Sequence, residues 1–214
     1  PEKGQDKSST HRKYSRSTYV KQNNRLNSRA AYFRDRRQTK KNNNKVNVQT
    51  VAKNTDLDYE SILTYITSTY KKIKKEDAEL IAQSLVEYGK KHELDPKFTA
   101  ALIARESAFN NTAVSSTGAK GLGQSKDFNY KSLKISDPFD IKQNAQGTTK
   151  YIKRMLKIWK GKSDDIQLAL ASYYKGHGAV KKDNGKLDNT TKSYVKDIIN
   201  NYKKILSIRE KKES

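Results

Sequence analysis

Residues 96–109 read PKFTAALIARESAF, and the pattern of this stretch determines which fold we predict for the chain. Leu102 and Phe109 recur at helical spacing and mark a buried face, while Pro96 suits the first turn of a helix. We therefore predict one helix from Pro96 to Phe109. At about 100° per residue, Glu106 lies roughly 40° from Leu102 and roughly 60° from Phe109 around that helix, so its carboxyl points toward the apolar side.

A carboxyl on the apolar side of a helix is suited to proton transfer. Burial disfavours the charged form and raises the pKa, as a general acid working near neutral pH requires. The alternative is a glutamate at the edge of the helix that reaches solvent or pairs with a lysine. For a partly buried glutamate taken alone this alternative is the commoner case, so the choice depends on the residues around it.

A glycine-rich stretch follows the predicted helix, with the sequence SSTGAKGLGQ over residues 115–124. Its glycines allow sharp turns and allow an extended ligand to lie close to the main chain. Gln124 can both donate and accept hydrogen bonds to sugar hydroxyls and amides. A phosphate-binding loop is excluded here, because neither the dinucleotide-binding pattern nor the Walker pattern is present.

The remaining chain from about residue 57 onward also has apolar residues at helical spacing. No segment alternates convincingly with period two, so the predicted fold class is mostly α. Further helices are predicted around Ile62–Tyr70 and Ala78–Tyr88, and at Ile141–Trp159, Asp164–Tyr174 and Tyr194–Ile208.

Residues 1–50 differ sharply from the rest of the chain. They contain fourteen basic and three acidic residues, so this segment holds +11 of the total net charge of +22. Its few apolar residues follow no helical or strand period, and burial could not offset the entropy of ordering. We predict a disordered basic arm over residues 1–50, followed by a folded domain over residues 51–214.

Composition excludes several kinds of site. The chain has no cysteine, which excludes disulfides, thiolate zinc sites and cysteine nucleophiles. Its three histidines lie far apart in sequence, so we predict no metal site and no cofactor. The strong positive charge favours polyanions as partners but does not choose between nucleic acid, anionic lipid and an acidic wall polymer.

Three blocks of sequence together resemble the soluble lytic transglycosylase family. The family pattern is Glu-Ser-x-Phe-Asn, then Ser-x-x-Gly-Ala-x-Gly-Leu-Met-Gln, then Ala-Tyr-Asn-x-Gly. The matching blocks here begin at Glu106, Ser115 and Ser172, and the resemblance extends over about residues 76–206. It implies a lysozyme-like α-helical domain with the Glu106 helix lining a cleft.

The resemblance also implies an activity and a set of site residues. Glu106 would first protonate the bond between MurNAc and GlcNAc in peptidoglycan and then act as the base that closes a 1,6-anhydro-MurNAc ring. Substrate contacts are implied for Ser115, Gly121, Gln124, Tyr173 and Tyr194. For Tyr173 we expect a hydrogen bond to the Glu106 carboxyl or to substrate, although its helical spacing equally suits a core aromatic. Ser115 and Gln124 could equally cap a helix or brace the glycine-rich loop.

This chain departs from the family pattern at three places. Gly123 replaces the usual methionine, and we expect the loss of that side chain to widen the cleft. Tyr174 replaces the usual asparagine, so a polar contact is lost or made differently. The segment between Gln124 and Asp137 is shorter than usual, which trims a helix that the family often has there.

Two alternatives remain open at this point: a lysozyme-like hydrolase on the same fold, and a protein that binds peptidoglycan or another polyanion without cutting it. The resemblance implies the bacterial cell envelope as the workplace, periplasmic or exported, although the first residues carry no apolar export signal. We expect a monomer whose partner is the glycan strand. The basic arm would bind an anionic polymer or a membrane surface rather than nucleic acid.

Overall fold

The computed structural model describes residues 48–213, with side chains from residue 55 to residue 211. Over that part of the chain the elements are α1 Val48–Thr69, α2 Lys75–Lys91, α3 Pro96–Glu106, α4 Asp127–Leu133, α5 Ile141–Ile158, α6 Asp165–Lys175, α7 His177–Lys182 and α8 Asn189–Glu213. The same residues form isolated β-bridges but no strand, so the predicted mostly α fold is confirmed. The predicted arm lies outside the described residues, except for its last three residues, which begin α1.

The helix that carries Glu106 begins where the sequence predicts and ends three residues earlier. Its first turn is capped by the side chain of Asp95, which accepts a hydrogen bond from the Lys97 amide at 3.0 Å. The prediction that it continues to Phe109 is wrong. Ala108 and Phe109 have φ of 51° and 62°, in the left-handed region where a helix cannot continue. This reversal places the Phe109 ring against that of Tyr70, with centroids 5.1 Å apart.

The other predicted helices are present with shifted ends. The helices α5 and α6 agree with prediction to about one residue at each end. The last helix starts at Asn189 rather than Tyr194, because Asp188 accepts hydrogen bonds from the Thr191 amide at 2.8 Å and from its hydroxyl at 3.0 Å. Two short helices, α4 and α7, do not correspond to any predicted helix.

The centre of the domain is α3. Every residue of this helix from Pro96 to Ala104 is buried, and the helix packs against α2, α5 and α8. The largest fully buried apolar side chains around it include Ile62, Ile66, Ile81, Leu85 and Ile152. A helix that is packed on so many sides is a rigid support, and it delivers its last residue, Glu106, to a fixed position.

A buried lysine lies near the other end of the same helix. The side chain of Lys97 is only 2% exposed, and its ammonium contacts the carboxylates of Asp58 and, at 2.9 Å, Asp95. Arg209 from α8 contacts Asp58 as well, at 3.0 Å. The resulting ion-pair network connects α1, α3 and α8. None of the described helices is long and apolar enough to span a bilayer.

Candidate active site

The carboxyl of Glu106 is the most perturbed acid of the domain's interior. Desolvation raises its pKa from 4.5 to about 7, which outweighs the opposing effects of a hydrogen bond from Tyr194 and of the positive charge of Arg105. The carboxyl is thus withdrawn from bulk water, as its place on the helix predicts. Near neutral pH it is present in both protonation states, so it can give a proton or take one up.

Tyr194 is the residue that contacts this carboxyl directly. It lies on α8, is 2% exposed, and its hydroxyl donates a hydrogen bond to Oε1 of Glu106. The Arg105 guanidinium lies over the Tyr194 ring, 5.4 Å from its centroid, and also forms an ion pair with Asp197 at 3.1 Å. Tyr194 therefore orients the carboxyl while Arg105 and α8 hold Tyr194 in place.

Of the two contacts expected for Tyr173, the one to the Glu106 carboxyl is not made in this structure, and the one to substrate stays a prediction. The Tyr173 hydroxyl donates to the carbonyl oxygen of Gly123 at 2.6 Å, so the expected hydrogen bond to Glu106 belongs to Tyr194 instead. Burial raises the pKa of Tyr173 well above its usual value, and the negative charge of Glu106 adds to the rise. Tyr173 therefore lies within electrostatic reach of the acid, and it connects α6 to the glycine-rich loop.

The glycine-rich loop is fastened to α5 by the buried side chain of Asn144. Its Oδ1 accepts a hydrogen bond from the Gly123 amide at 2.8 Å, and its Nδ2 donates to the carbonyl of Pro138 at 2.8 Å. Gly121 has φ of 74°, and a Cβ at that position would lie 2.0 Å from the Pro138 carbonyl. The loop therefore needs glycine at Gly121 for two reasons, a left-handed backbone and lack of space.

The space beside Gly123 is filled. A Cβ at this position would lie 1.9 Å from Oγ1 of Thr148 on α5. The prediction that glycine here widens the cleft is wrong for this chain, because the direction a side chain would take is occupied by Thr148. This packing could not be predicted from the local pattern, since Thr148 lies 25 positions further along the chain.

The side chains of Ser115 and Gln124 brace the loop from within. Oγ of Ser115 accepts a hydrogen bond from the Ala119 amide at 3.0 Å. Nε2 of Gln124 donates to the carbonyls of Ala113 at 3.2 Å and Gly121 at 2.9 Å. These contacts correspond to the bracing role that the sequence left open, and the substrate contacts predicted for both residues remain predictions.

Tyr174 covers the outer side of this arrangement. Its ring stacks on that of Tyr194, with centroids 4.6 Å apart and planes at 22°, and 48% of its surface is exposed. The site thus brings together Glu106, Tyr194, Tyr173 and the loop through Gly123. Sequence reasoning did not identify Arg105 as a residue of the site, although it directly precedes the predicted acid.

No group of three or more His, Cys, Asp or Glu side chains that could hold a metal ion is found among the described residues. Two further acids that follow the loop in sequence, Asp127 and Asp137, are exposed and accept hydrogen bonds from nearby backbone amides. The Phe128 amide contacts Asp127 at 2.7 Å, and the Phe139 amide contacts Asp137 at 2.8 Å. Neither resembles Glu106 in its surroundings.

Comparison with protein families gives a match to the Transglycosylase SLT domain over residues 83–196. Among curated proteins, a membrane-bound lytic murein transglycosylase F of Desulfosudis oleivorans is 34% identical over 98 residues, which is 42% of this chain and 21% of that protein. A transglycosylase of Enterobacteria phage PRD1 is 30% identical over 110 residues, 51% of this chain and 38% of that protein. The chain thus spans only a fifth to two fifths of these relatives.

Among solved structures, the chain is similar to the lytic transglycosylase Slt of Pseudomonas aeruginosa, crystallised as an inactive mutant. The TM-score is 0.50 and the sequence identity 22%, over 61% of this chain and 24% of the other. At this level of identity the likeness is one of fold. The fold is therefore shared with part of a much longer protein.

Proposed function

Because the chain belongs to the Transglycosylase SLT domain family, whose model matches more than half of it, we propose that it is a peptidoglycan lytic transglycosylase. It cuts the bond between MurNAc and GlcNAc without water and leaves 1,6-anhydro-MurNAc ends. The observation that carries this proposal is the state of Glu106: a desolvated carboxyl with a pKa of about 7, held by a tyrosine hydroxyl on a rigid helix.

The first step needs a proton donor. Glu106 in its protonated form gives its proton to the oxygen of the glycosidic bond, and the bond between that oxygen and C1 of MurNAc breaks with both electrons going to the oxygen. The N-acetyl group of the same MurNAc stabilises the positive charge that develops at C1. Desolvation keeps a proton on Glu106 at a pH where an ordinary glutamate has lost it.

The second step needs a base at the same place. Glu106, now ionised, takes the proton from the C6 hydroxyl of MurNAc while the C6 oxygen bonds to C1 and closes the anhydro ring. The hydrogen bond from Tyr194 favours the ionised carboxyl at this stage. The acid is restored to its starting state, and no water is consumed.

A single carboxyl suffices for this sequence of steps, in contrast to the usual pair in glycoside hydrolases. Substrate-assisted cleavage is a known exception to the pair. The charge that acts on the pKa of Glu106 is that of a cation, Arg105, which is itself paired with the carboxylate of Asp197. These observations favour a mechanism with one carboxyl that serves twice.

A peptidoglycan substrate implies work in the bacterial cell envelope, periplasmic or outside the membrane, and the relative from Desulfosudis oleivorans is named as a membrane-bound murein transglycosylase. The basic residues of 1–50 would hold the enzyme against anionic wall polymers or lipid head groups. Attraction of this kind weakens with salt and has no base preference.

Mass spectrometry of products from purified sacculi tests the proposal. The wild-type chain is expected to release sugars that end in 1,6-anhydro-MurNAc. Ends with a free reducing MurNAc would indicate a hydrolase, and an absence of released sugars would indicate a binding protein. Either result would contradict the proposed function.

The acid itself is tested with Glu106→Gln, which keeps the shape and removes the proton transfer. We expect the rate of cleavage to fall by about 10² to 10⁴ with the fold intact. The matched control is Glu87→Gln, the same change at an exposed glutamate of α2, which is expected to cleave at the wild-type rate. Wild-type cleavage by Glu106→Gln would show that another group is the acid.

A further inference from the structure

An exposed aromatic ring, that of Tyr174, is separated from the acid by a single side chain, Tyr194. Tyr174 is one of four large apolar side chains that are markedly exposed among the described residues, at 48%. It stacks on Tyr194, which in turn donates its hydrogen bond to Glu106. Single exposed aromatics are ordinary on protein surfaces, so its exposure alone has no functional meaning.

What distinguishes Tyr174 is that its ring is held in a fixed plane. The stacking distance of 4.6 Å and the angle of 22° between the rings fix it against Tyr194, which is 2% exposed and cannot turn away. The next residue, Lys175, forms ion pairs with Asp188 at 2.9 Å and Asp183 at 3.4 Å. Since Asp188 also caps the start of α8, these contacts hold the end of α6 against the helix that carries Tyr194.

Nearly half of the Tyr174 surface, 48%, stays exposed although one face of its ring is stacked on Tyr194. The chain just after it is also uncrowded, since a Cβ added at Gly176 or Gly178 would meet no atom within 4 Å. A flat ring that is fixed on one side and unobstructed on the other loses little conformational entropy when a ligand binds to it. The arrangement is preorganised to receive a flat apolar surface.

We propose that the outer face of Tyr174 is a binding platform for one sugar ring of the glycan strand, next to the ring that Glu106 attacks. This inference rests on the proposed function, because that function requires a glycan beside Glu106. A pyranose ring has a face of C–H groups and a rim of hydroxyls. The face matches the aromatic ring, and the rim is within reach of the tyrosine hydroxyl.

Tyr174 is thus a specificity-determining residue that this chain has in place of the asparagine of the family pattern. Asparagine offers hydrogen bonds only, whereas tyrosine offers a plane. The chain has exchanged a polar contact for a stacking one at the mouth of its site.

Binding is measured without turnover, in the Glu106→Gln background, with a tetrasaccharide of alternating GlcNAc and MurNAc as the probe. Calorimetry or fluorescence titration gives the Kd. Tyr174→Leu removes the plane but keeps an apolar side chain, and we expect it to weaken binding by about 3- to 10-fold. Tyr174→Phe keeps the ring, and its Kd is expected to stay within about 2-fold of the parent.

The control for loss of an exposed apolar side chain is Ile158→Asn at the end of α5, where the side chain is 44% exposed. It is expected to bind as the parent does. Thermal unfolding of each variant checks that the fold is kept.

Tyr174 could instead act only by holding Tyr194, and a second measurement distinguishes this. In the chain with Glu106 intact, Tyr174→Leu should raise KM and leave kcat and its pH profile unchanged. A shifted pH profile with unchanged binding would overturn the proposal, as would equal Kd values for Tyr174→Leu and the parent. Failure of the proposed function is seen separately, as the absence of anhydro products from the unmutated chain.

Discussion

The two ends of α3 each hold an ionisable side chain that is largely withdrawn from water, and the two side chains differ in how well their charge is compensated. Near the start, Lys97 is 2% exposed and contacts two carboxylates, those of Asp58 and Asp95. At the end, Glu106 has one hydroxyl partner, while the cation beside it, Arg105, is occupied by Asp197. One helix thus contains a compensated charge and a nearly uncompensated one.

The compensated charge at the start of the helix contributes to stability, and the nearly uncompensated one at its end serves proton transfer. A buried ion with partners of opposite charge acts as a connection between helices, and its loss leaves those partners unpaired. A desolvated carboxyl whose neighbouring cation is paired with another carboxylate holds its proton instead, and its pKa rises, here to about 7. Proton transfer needs the second arrangement, and the first keeps the helix that carries it in place.

Removing the buried ammonium of Lys97 should have the largest effect on stability. Lys97→Met removes the ammonium and leaves Asp58 and Asp95 without it, so we expect the free energy of unfolding to fall by about 3 to 5 kcal/mol. Urea unfolding at pH 7 measures this. The matched control is Lys75→Met at a lysine that is 76% exposed, where we expect a change within about 0.5 kcal/mol. Equal stability of the two variants would contradict the contrast between the ends.

Removing the ionisable carboxyl of Glu106 should stabilise the protein above neutral pH. The pKa of Glu106 in the folded chain lies above its ordinary value of 4.5, so the folded state binds this proton more tightly than the unfolded state. Stability is therefore lost as pH rises from about 4.5 to about 7. Glu106→Gln removes this loss, and we expect a gain of about 3 kcal/mol at pH 8 and a much smaller one at pH 5.

Urea unfolding of Glu106→Gln and the parent at both pH values checks this expectation. The control is again Glu87→Gln, for which the difference between pH 5 and pH 8 should match that of the parent. A Glu106→Gln variant that is less stable than the parent at pH 8 would show that the carboxylate is well compensated after all.

How much of this contrast the sequence predicts differs between the two ends. The buried direction of Glu106 follows from helical spacing alone, because a helix repeats at a fixed angle and Leu102 marks the apolar side. Nothing in that spacing identifies Lys97 as buried. Its partner Asp58 lies 39 residues away on another helix, and tertiary packing alone brings them together.

The contacts at the site illustrate the same limit. The resemblance implies substrate contacts for both Tyr173 and Tyr194, but it does not decide which of the two hydroxyls meets Glu106. That depends on how α8 packs against α3 across a separation of 88 residues. The early end of α3 was also beyond prediction, because Phe109 fits the helical spacing and yet takes a left-handed backbone to reach Tyr70.

The smallest expected effect comes from removing the hydrogen bond to the Glu106 carboxyl. Tyr194→Phe removes the hydrogen bond that favours the ionised carboxyl, so the pKa of Glu106 should rise further. We expect the alkaline limb of the kcat/KM profile to move up by about one pH unit. Activity of the variant against pH on solubilised glycan measures this. A limb that moves down would show that Tyr194 favours the protonated form.

The most direct measurement is the pKa of Glu106 itself. The full chain is labelled with ¹³C at the glutamate side-chain carboxyls, and the Glu106 signal is identified as the one missing from Glu106→Gln. Its chemical shift is then followed by NMR from pH 3 to pH 9. We expect a midpoint at about 7, whereas a midpoint near the ordinary value of 4.5 would contradict the role of Glu106 as the acid.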